Sequence, residues 1–238
     1  MTYQKVYDQY LTAGFKEMNQ DFARRAQDYE TIYAQHLPDN KGARILDIGC
    51  GMGNFLYYLK NKGYTNFHGI DIGKEAIEFC QANVTNEVTQ ITDLSNYLKA
   101  HQGEFDMVTM NDVIEHIPKN QTIEVLESLR DSLKREGTLF IVTGNIATLY
   151  GGFLRYIGFD HEIAYSEFSL RQVLTVTGFK DIQIFGNKNR LRPNIKRILW
   201  VWSQLLWFKI LKLIYVIEVG TDAPKIISKL LIAVARKG

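Results

Sequence analysis

Asp47-Ile48-Gly49-Cys50-Gly51-Met52-Gly53-Asn54-Phe55 decides how this chain is read. It follows the apolar run Ala43-Arg44-Ile45-Leu46, and a second short run, Phe67-His68-Gly69-Ile70, ends in Asp71. A strand that stops in a glycine turn, a helix behind it and a second strand ending in an acid make one half of a nucleotide-binding α/β unit. The glycines let the backbone turn tightly and approach a ligand. Asp71 is placed to accept hydrogen bonds from the two hydroxyls of a ribose.

The turn departs from the dinucleotide pattern, which wants glycine at its first, third and sixth places. Asn54 stands at the sixth place and Gly53 at the fifth. Asp47, two residues before the first glycine, repels a pyrophosphate and attracts an ammonium group. S-adenosylmethionine carries such an ammonium on its amino-acid end and has no phosphate.

Val88-Thr89-Gln90-Ile91 reads as a third strand, followed by Thr92-Asp93-Leu94, whose acid is placed to accept from an adenine amino group. Phe105–Met110 reads as a fourth strand and runs into Asn111-Asp112-Val113-Ile114-Glu115-His116-Ile117-Pro118. On these segments the chain resembles the class I S-adenosylmethionine-dependent methyltransferases. Within them it is similar to the small-molecule group that includes ubiquinone-pathway O-methyltransferases and many enzymes of bacterial surface-polysaccharide clusters. The resemblance covers residues 40–186 and extends more weakly to the C-terminal strand. It implies S-adenosylmethionine as cofactor, S-adenosylhomocysteine as product, and an α/β fold: a doubly wound, seven-stranded, mostly parallel sheet with an antiparallel last strand. It also implies cofactor contacts from Asp47, Gly49, Cys50, Gly51, Gly53, Asn54, Phe55, Asp71, Ile72, Thr92, Asp93, Leu94, Asn111, Asp112 and Val113.

Composition agrees with this class. The 238 residues suit one α/β domain with additions. A net charge of +2 supplies no global field for nucleic acid, so no nucleic-acid partner is expected. Two cysteines, Cys50 and Cys80, make no disulfide framework and suit a reducing cytoplasm. Cys and His show no ligand spacing, so no metal is expected. Met1-Thr2-Tyr3-Gln4-Lys5 has no apolar stretch behind its charge, so no signal peptide is expected.

The chain divides into an N-terminal helical cap (1–40), a cofactor-binding core (41–186), a basic amphipathic insertion (187–225) and a last strand (226–238). In the cap, Tyr7, Tyr10 and Leu11 recur at helical spacing, as do Phe22, Ala26, Tyr29 and Tyr33. Such a helix packs on the sheet, closes over the cofactor, or does both. In the core, strands and helices alternate at short intervals. Helices are expected after Gly53, at Lys74–Ala82, at Thr122–Lys134 and at Ser169–Thr177. Strands are expected at Gly137–Val142 and Phe179–Phe185. The resemblance places the last strand at Leu230–Arg236.

Family members usually have a short turn before the last strand, whereas here roughly forty residues intervene, long for a structureless connection. No acid occurs from Asn187 to Val216, while Lys188, Arg190, Arg192, Lys196, Arg197, Lys209 and Lys212 are basic. On a helix, Lys196, Arg197, Ser203 and Gln204 share one face with Lys212 at its margin, and Leu199, Trp202, Leu206 and Leu213 lie opposite. Three readings compete. A bilayer span is disfavoured by Lys209 and Lys212 near its middle. The segment fits an anionic membrane surface, over residues 190–217. It also fits packing against its own domain or a second copy in a homodimer. The favoured reading is a cytoplasmic protein held peripherally at the inner face of the cell membrane.

Methyl transfer to a hydroxyl needs a base, usually histidine near neutral pH. Two qualify by position. His116 follows the fourth strand at the carboxyl edge, where such sheets bind ligands. His161 lies in Phe159-Asp160-His161-Glu162-Ile163-Ala164-Tyr165 between two acids that could orient it. Asp160, Glu162, Tyr150 and Tyr165 are candidates for the acceptor pocket, and Glu115 reads as a helix-start residue. Thr143-Gly144-Asn145 stands where relatives often have Val-Pro-Asn, which loosens the turn beside the acceptor. Phe153, Leu154, Tyr156, Ile157 and Phe159 suit a partly lipidic or aromatic acceptor, or a helix covering the sheet. The sequence therefore favours O-methylation of a small or lipid-linked acceptor such as a surface-glycan sugar, with a quinone or phenolic hydroxyl or an amine as alternatives. A nicotinamide-dependent oxidoreductase and a non-catalytic S-adenosylmethionine-binding module are the competing classes.

Overall fold

The computed structural model describes residues 21–187, 195–220 and 223–238, with only the backbone for 195–198. The expectations for Tyr7, Tyr10, Leu11, Lys188, Arg190, Arg192, Lys196 and Arg197 fall outside the described residues or side chains.

Helix α1 (Phe22–Tyr33) is capped by Asp21, whose side chain accepts from the Arg24 amide, and it buries Tyr33. There follow β1 (Ile45–Ile48), α2 (Asn54–Asn61), β2 (Phe67–Asp71), α3 (Lys74–Asn83), β3 (Val88–Gln90), α4 (Leu94–Ala100), β4 (Phe105–Asn111), α5 (Thr122–Ser132) and β5 (Leu133–Gly144). The chain continues through α6 (Gly151–Tyr156), α7 (Glu167–Val176), β6 (Phe179–Gly186), α8 (Ile195–Val219) and β7 (Leu230–Lys237). The seven strands lie in the order β3-β2-β1-β4-β5-β7-β6. β1 to β5 run parallel, and β7 pairs antiparallel with both β5 and β6.

The central strands are apolar on both faces because helices cover both. On one side, Leu46, Ile48, Val108, Met110, Leu139 and Ile141 join one cluster with α5 and α7. On the other, Ile45, Met107, Phe140 and Val142 join the aromatic layer of α1 and α2. The strand order reverses between β1 and β4, and the crevice at their carboxyl ends is where such sheets bind ligands.

Several boundaries differ from expectation. The helix expected to reach Lys134 stops at Ser132, and β5 begins at Leu133, paired with Phe105, rather than at Gly137. The register shifts between Phe105 and Met107, and Glu136 adopts a φ of 62° within the irregularity. The helix expected from Ser169 begins at Glu167, because Ser166 and Ser169 form a reciprocal capping box.

The turn that lacks the proline is anchored through Asn145. Asn145 is buried. Its Nδ2 donates to the Ile226 and Ser228 carbonyls at 2.9 Å each, and its Oδ1 accepts from the Ala147 amide.

Candidate active site

The glycine turn is built by exclusion. Gly49 has a φ of 67°, and a Cβ there would lie 2.4 Å from Val113 Cγ2. At Gly53, with φ 83°, it would lie 2.4 Å from Cys80 Sγ. Only glycine meets both the left-handed backbone and the close approach. The Gly51 amide donates to Asp71 Oδ2 at 2.8 Å and the Gly73 amide to Asp71 Oδ1 at 2.7 Å. The Ile72 amide also bonds the carboxylate, which keeps acceptor capacity for a ribose hydroxyl.

Asp47 is 2% exposed. Its Oδ1 accepts from Thr109 Oγ1 at 2.7 Å and from Asn111 Nδ2 at 3.3 Å. Burial pushes its carboxyl up to about 7, although both hydrogen bonds act the other way. A carboxylate so enclosed gains from a cation brought next to it. Tyr33 Oη donates to Asn111 Oδ1 at 2.6 Å, and the Tyr33 ring stacks on Phe140 with centroids 4.0 Å apart. Tyr29 packs edge-on against Phe55 at 5.1 Å. The aromatic face of α1 is thus core, and Tyr33 reaches the hydrogen-bond group around Asp47 through Asn111.

The remaining cofactor candidates follow the carboxyl edges of β1 to β4. Ile72 follows β2. Thr92 and Asp93 are exposed after β3, and Leu94 opens α4. Asp93 caps α4, with Oδ1 accepting from the Asn96 amide at 2.8 Å. Asp112 has a φ of 54° and is exposed; desolvation by the surrounding protein pushes its carboxyl up. Val113 fills the space against Gly49. The Asn54 Oδ1 is buried with no hydrogen-bond partner among the described residues, an acceptor left open beside the turn. The side chains of Cys50 and Phe55 belong to the packed core.

Beyond β4 the fold assembles a second group. His116 and His161 meet edge to face, with ring centroids 4.7 Å apart. Asp160 Oδ2 stands 2.9 Å from His116 Nδ1. Burial draws the His116 imidazole down, but the Asp160 hydrogen bond and the Glu115 charge outweigh it, and the net direction is up. Burial, then the His116 charge, holds His161 below its ordinary value. Glu115 does stand at a helix start, but it is buried. It is 5% exposed in a short 3-10 turn (Ile114–His116), and its Oε2 accepts from Thr143 Oγ1 at 2.9 Å. Burial and Asp112 push its carboxyl up to about 7. The Glu115 carbonyl accepts from the Glu162 and Ile163 amides, which pins the His161 loop to the β4 edge.

Glu115, Thr143, Leu154, Arg155 and His161 line a small cleft here. Arg155 donates to the His161 and Glu162 carbonyls. Thr143 and Arg155 were not singled out in the sequence; Thr143 sits in the very departure from Val-Pro-Asn, and its hydroxyl was the available signal. Two pocket candidates are placed elsewhere. Tyr165 is 1% exposed within the core cluster, and Tyr150 is 63% exposed at the start of α6. Ligand atoms of Glu115, His116 and His161 lie within 4.8 Å of one another. Spacing along the chain gave no metal-ligand set, because this trio forms only when the 145–165 loop folds back. One carboxylate and two imidazoles are donors that divalent transition ions accept.

Fold and site define a class I S-adenosylmethionine-dependent methyltransferase. A family model described as a methyltransferase domain matches residues 20–184, and the chain belongs to that family; its cofactor is S-adenosylmethionine. Curated relatives include ubiquinone biosynthesis O-methyltransferases from Shewanella sp. (strain ANA-3), 31% identical over 108 residues, and Glaesserella parasuis serovar 5, 32% identical over 112 residues. These matches cover 44% of this chain and 44% and 46% of those proteins, so the match spans under half the length of the relatives. Among solved structures, a SAM-dependent methyltransferase from Archaeoglobus fulgidus has a TM-score of 0.69 at 22% identity, with 96% of this chain and 99% of that one covered. Magnesium protoporphyrin IX methyltransferase from Synechocystis PCC 6803, solved with bound SAH, has a TM-score of 0.61 at 17% identity, covering 98% of both chains. At these identities they show the fold.

Proposed function

We propose that this methyltransferase acts on a hydroxyl oxygen of a small or lipid-linked acceptor, with His161 as general base. The observation that carries the reading is the His116–His161 pair, whose environments push the two imidazoles in opposite directions. Paired titratable groups held apart in this way take opposite roles. His161, held low, is neutral near pH 7 and can take a proton. His116, pushed up by Asp160 and Glu115, holds a proton more readily than its neighbour and positions it. Bound S-adenosylmethionine supplies a methyl group already activated by its sulfonium. Asp47 receives the ammonium end, Asp71 the ribose and Asp93 the adenine side. Tyr29 and Tyr33 keep water from the Asp47 end of the cleft.

Two acceptor heads fit a base of this kind. One is the sugar hydroxyl of a surface glycan. The other is a phenolic hydroxyl on an apolar tail, favoured by the names of the curated relatives. Exposed Phe153, Tyr156, Ile157 and Phe159, just before His161, suit an apolar tail in either case. The test is methyl transfer from labelled S-adenosylmethionine by the full chain to polyprenyl-linked sugars and to prenylated phenols, with wild type and His161→Ala compared. Loss of the base lowers turnover roughly 10²- to 10⁴-fold at unchanged cofactor affinity. Turnover of the variant within about twofold of wild type would remove His161 from the chemistry.

A further inference from the structure

The 25-residue helix α8 docks on the domain along one narrow face. Val201, Gln204, Phe208, Leu211 and Tyr215, spaced alternately three and four apart, are its least exposed residues. Leu211 is buried, and Tyr215 Oη donates to the Ala147 carbonyl at 2.7 Å. The face the sequence marks as apolar is therefore not the docked one. It points away from the protein: Leu199, Trp202, Leu206, Ile210, Leu213 and Ile217 form an exposed ridge. At 1.5 Å per residue the ridge runs about 27 Å. Leu199–Val219 is long and apolar enough to cross a membrane, with 6% of it buried in the domain.

We infer that α8 lies in the plane of an anionic phospholipid bilayer, with this ridge inserted among the acyl chains. Three observations choose that occupant. Exposed Trp200, Trp202 and Trp207 suit the headgroup boundary, where amphipathic rings gather. Lys209 and Lys212 are exposed beside the ridge, and their stems reach back to headgroups from an in-plane helix. The acid of α8, Glu218, lies at its far end, past both lysines, so a second copy packed antiparallel on the middle of the ridge would bring lysines together, whereas anionic lipid supplies a counter-charge along the whole helix. A crossing orientation would have to break the Leu211 and Tyr215 contacts and put both lysines in hydrocarbon. The Tyr215–Ala147 bond also ties α8 to the loop that carries His161, so the surface faces the side from which an apolar acceptor would arrive. The inference stands whichever acceptor is used, because it rests on α8 alone.

The experiment is flotation of the full chain with phosphatidylcholine vesicles, with and without 30 mol% phosphatidylglycerol (about a third of the lipid, enough to set a negative surface). Wild type should float with the anionic vesicles. Leu206→Glu with Leu213→Glu, on the exposed ridge, should abolish flotation while the melting-temperature rise with S-adenosylhomocysteine is kept. Lys209→Ala and Lys212→Ala should each weaken partition about fivefold, with reduced salt sensitivity. Wild type that stays with the buffer, or a double-Glu variant that floats as well as wild type, overturns the inference. So does a concentration-dependent dimer in sedimentation that the double-Glu change dissolves, since the ridge would then be a seam between copies.

Discussion

Thr109 Oγ1 donates to Asp47 Oδ1 at 2.7 Å inside the sheet, from one strand of the switch point to the other. The bond fixes the carboxylate at the mouth of the glycine turn but does not neutralise it. A buried acid held by a hydroxyl and an amide remains poised for a cation.

That poise has a pH signature. With Asp47 raised to about 7, the folded chain keeps a proton that the unfolded chain loses near pH 4. Without cofactor, this group's contribution to stability therefore falls as pH rises from about 4 to 7. An ammonium beside Asp47 favours the ionised form, so cofactor affinity should climb as pH rises toward 7 and flatten above it. Calorimetry at pH 5.5, 6.5 and 7.5, in buffers of different ionisation enthalpy, should show proton release on binding near neutrality. Asp47→Asn should weaken the cofactor about 10- to 100-fold, the worth of a charge-assisted hydrogen bond, and erase that proton release. Affinity independent of pH in wild type would refute the placement of the ammonium.

The histidine pair can be tested without an acceptor. His161 is held low by burial and then by the His116 charge. Replacing His116 with Gln removes the cation, so the His161 imidazole should titrate at higher pH than in wild type. Imidazole proton shifts in an NMR titration read this directly. In turnover, the acidic limb of the pH profile should move up with it, since a protonated His161 accepts no proton. An unmoved His161 titration would show that the rings do not sense each other.

Gly158 gives a steric test of the same ring. A Cβ there would stand 2.7 Å from His161 Cδ2 and 2.8 Å from Nε2. The imidazole is the softer partner, so Gly158→Ala should turn the ring rather than unfold the loop. Turnover should drop at least tenfold while the melting temperature shifts by a few degrees, about 1 kcal/mol at this size, and cofactor affinity holds. Equal turnover in variant and wild type would mean that the ring position seen here is not the working one.

The parts legible in the sequence are those written locally. Asp47 to Gly53, Asp71 and the alternation of strands and helices are short-range patterns, and the sheet follows them. Charged Lys134-Arg135-Glu136 hid the start of β5, because Leu133 joins the sheet through its pairing with distant Phe105. Ser166 hid the start of α7, since its cap reads as loop until Ser169 answers it. The meeting of His116 with His161 was invisible for a different reason: the Glu115 carbonyl, which holds the second loop in place, leaves no trace in residue identity. In α8 the wheel of residues marked Leu199, Trp202, Leu206 and Leu213 as one apolar face but did not mark the stripe of Val201, Phe208, Leu211 and Tyr215 that the domain takes. Tyr215 and Leu211 anchor that stripe.

Asn145 fastens the end of β5 to the carbonyls of Ile226 and Ser228, and Glu167 catches the Lys225 and Ile226 amides at 3.0 Å each. The excursion between β6 and β7 thus returns to a moored frame before the final strand begins. Between these anchors its length can vary, while the Tyr215–Ala147 bond keeps α8 in touch with the loop that carries His161. A cassette of another character spliced between Gly186 and Lys225 would leave the start of β7 anchored but remove the Tyr215 tie to that loop.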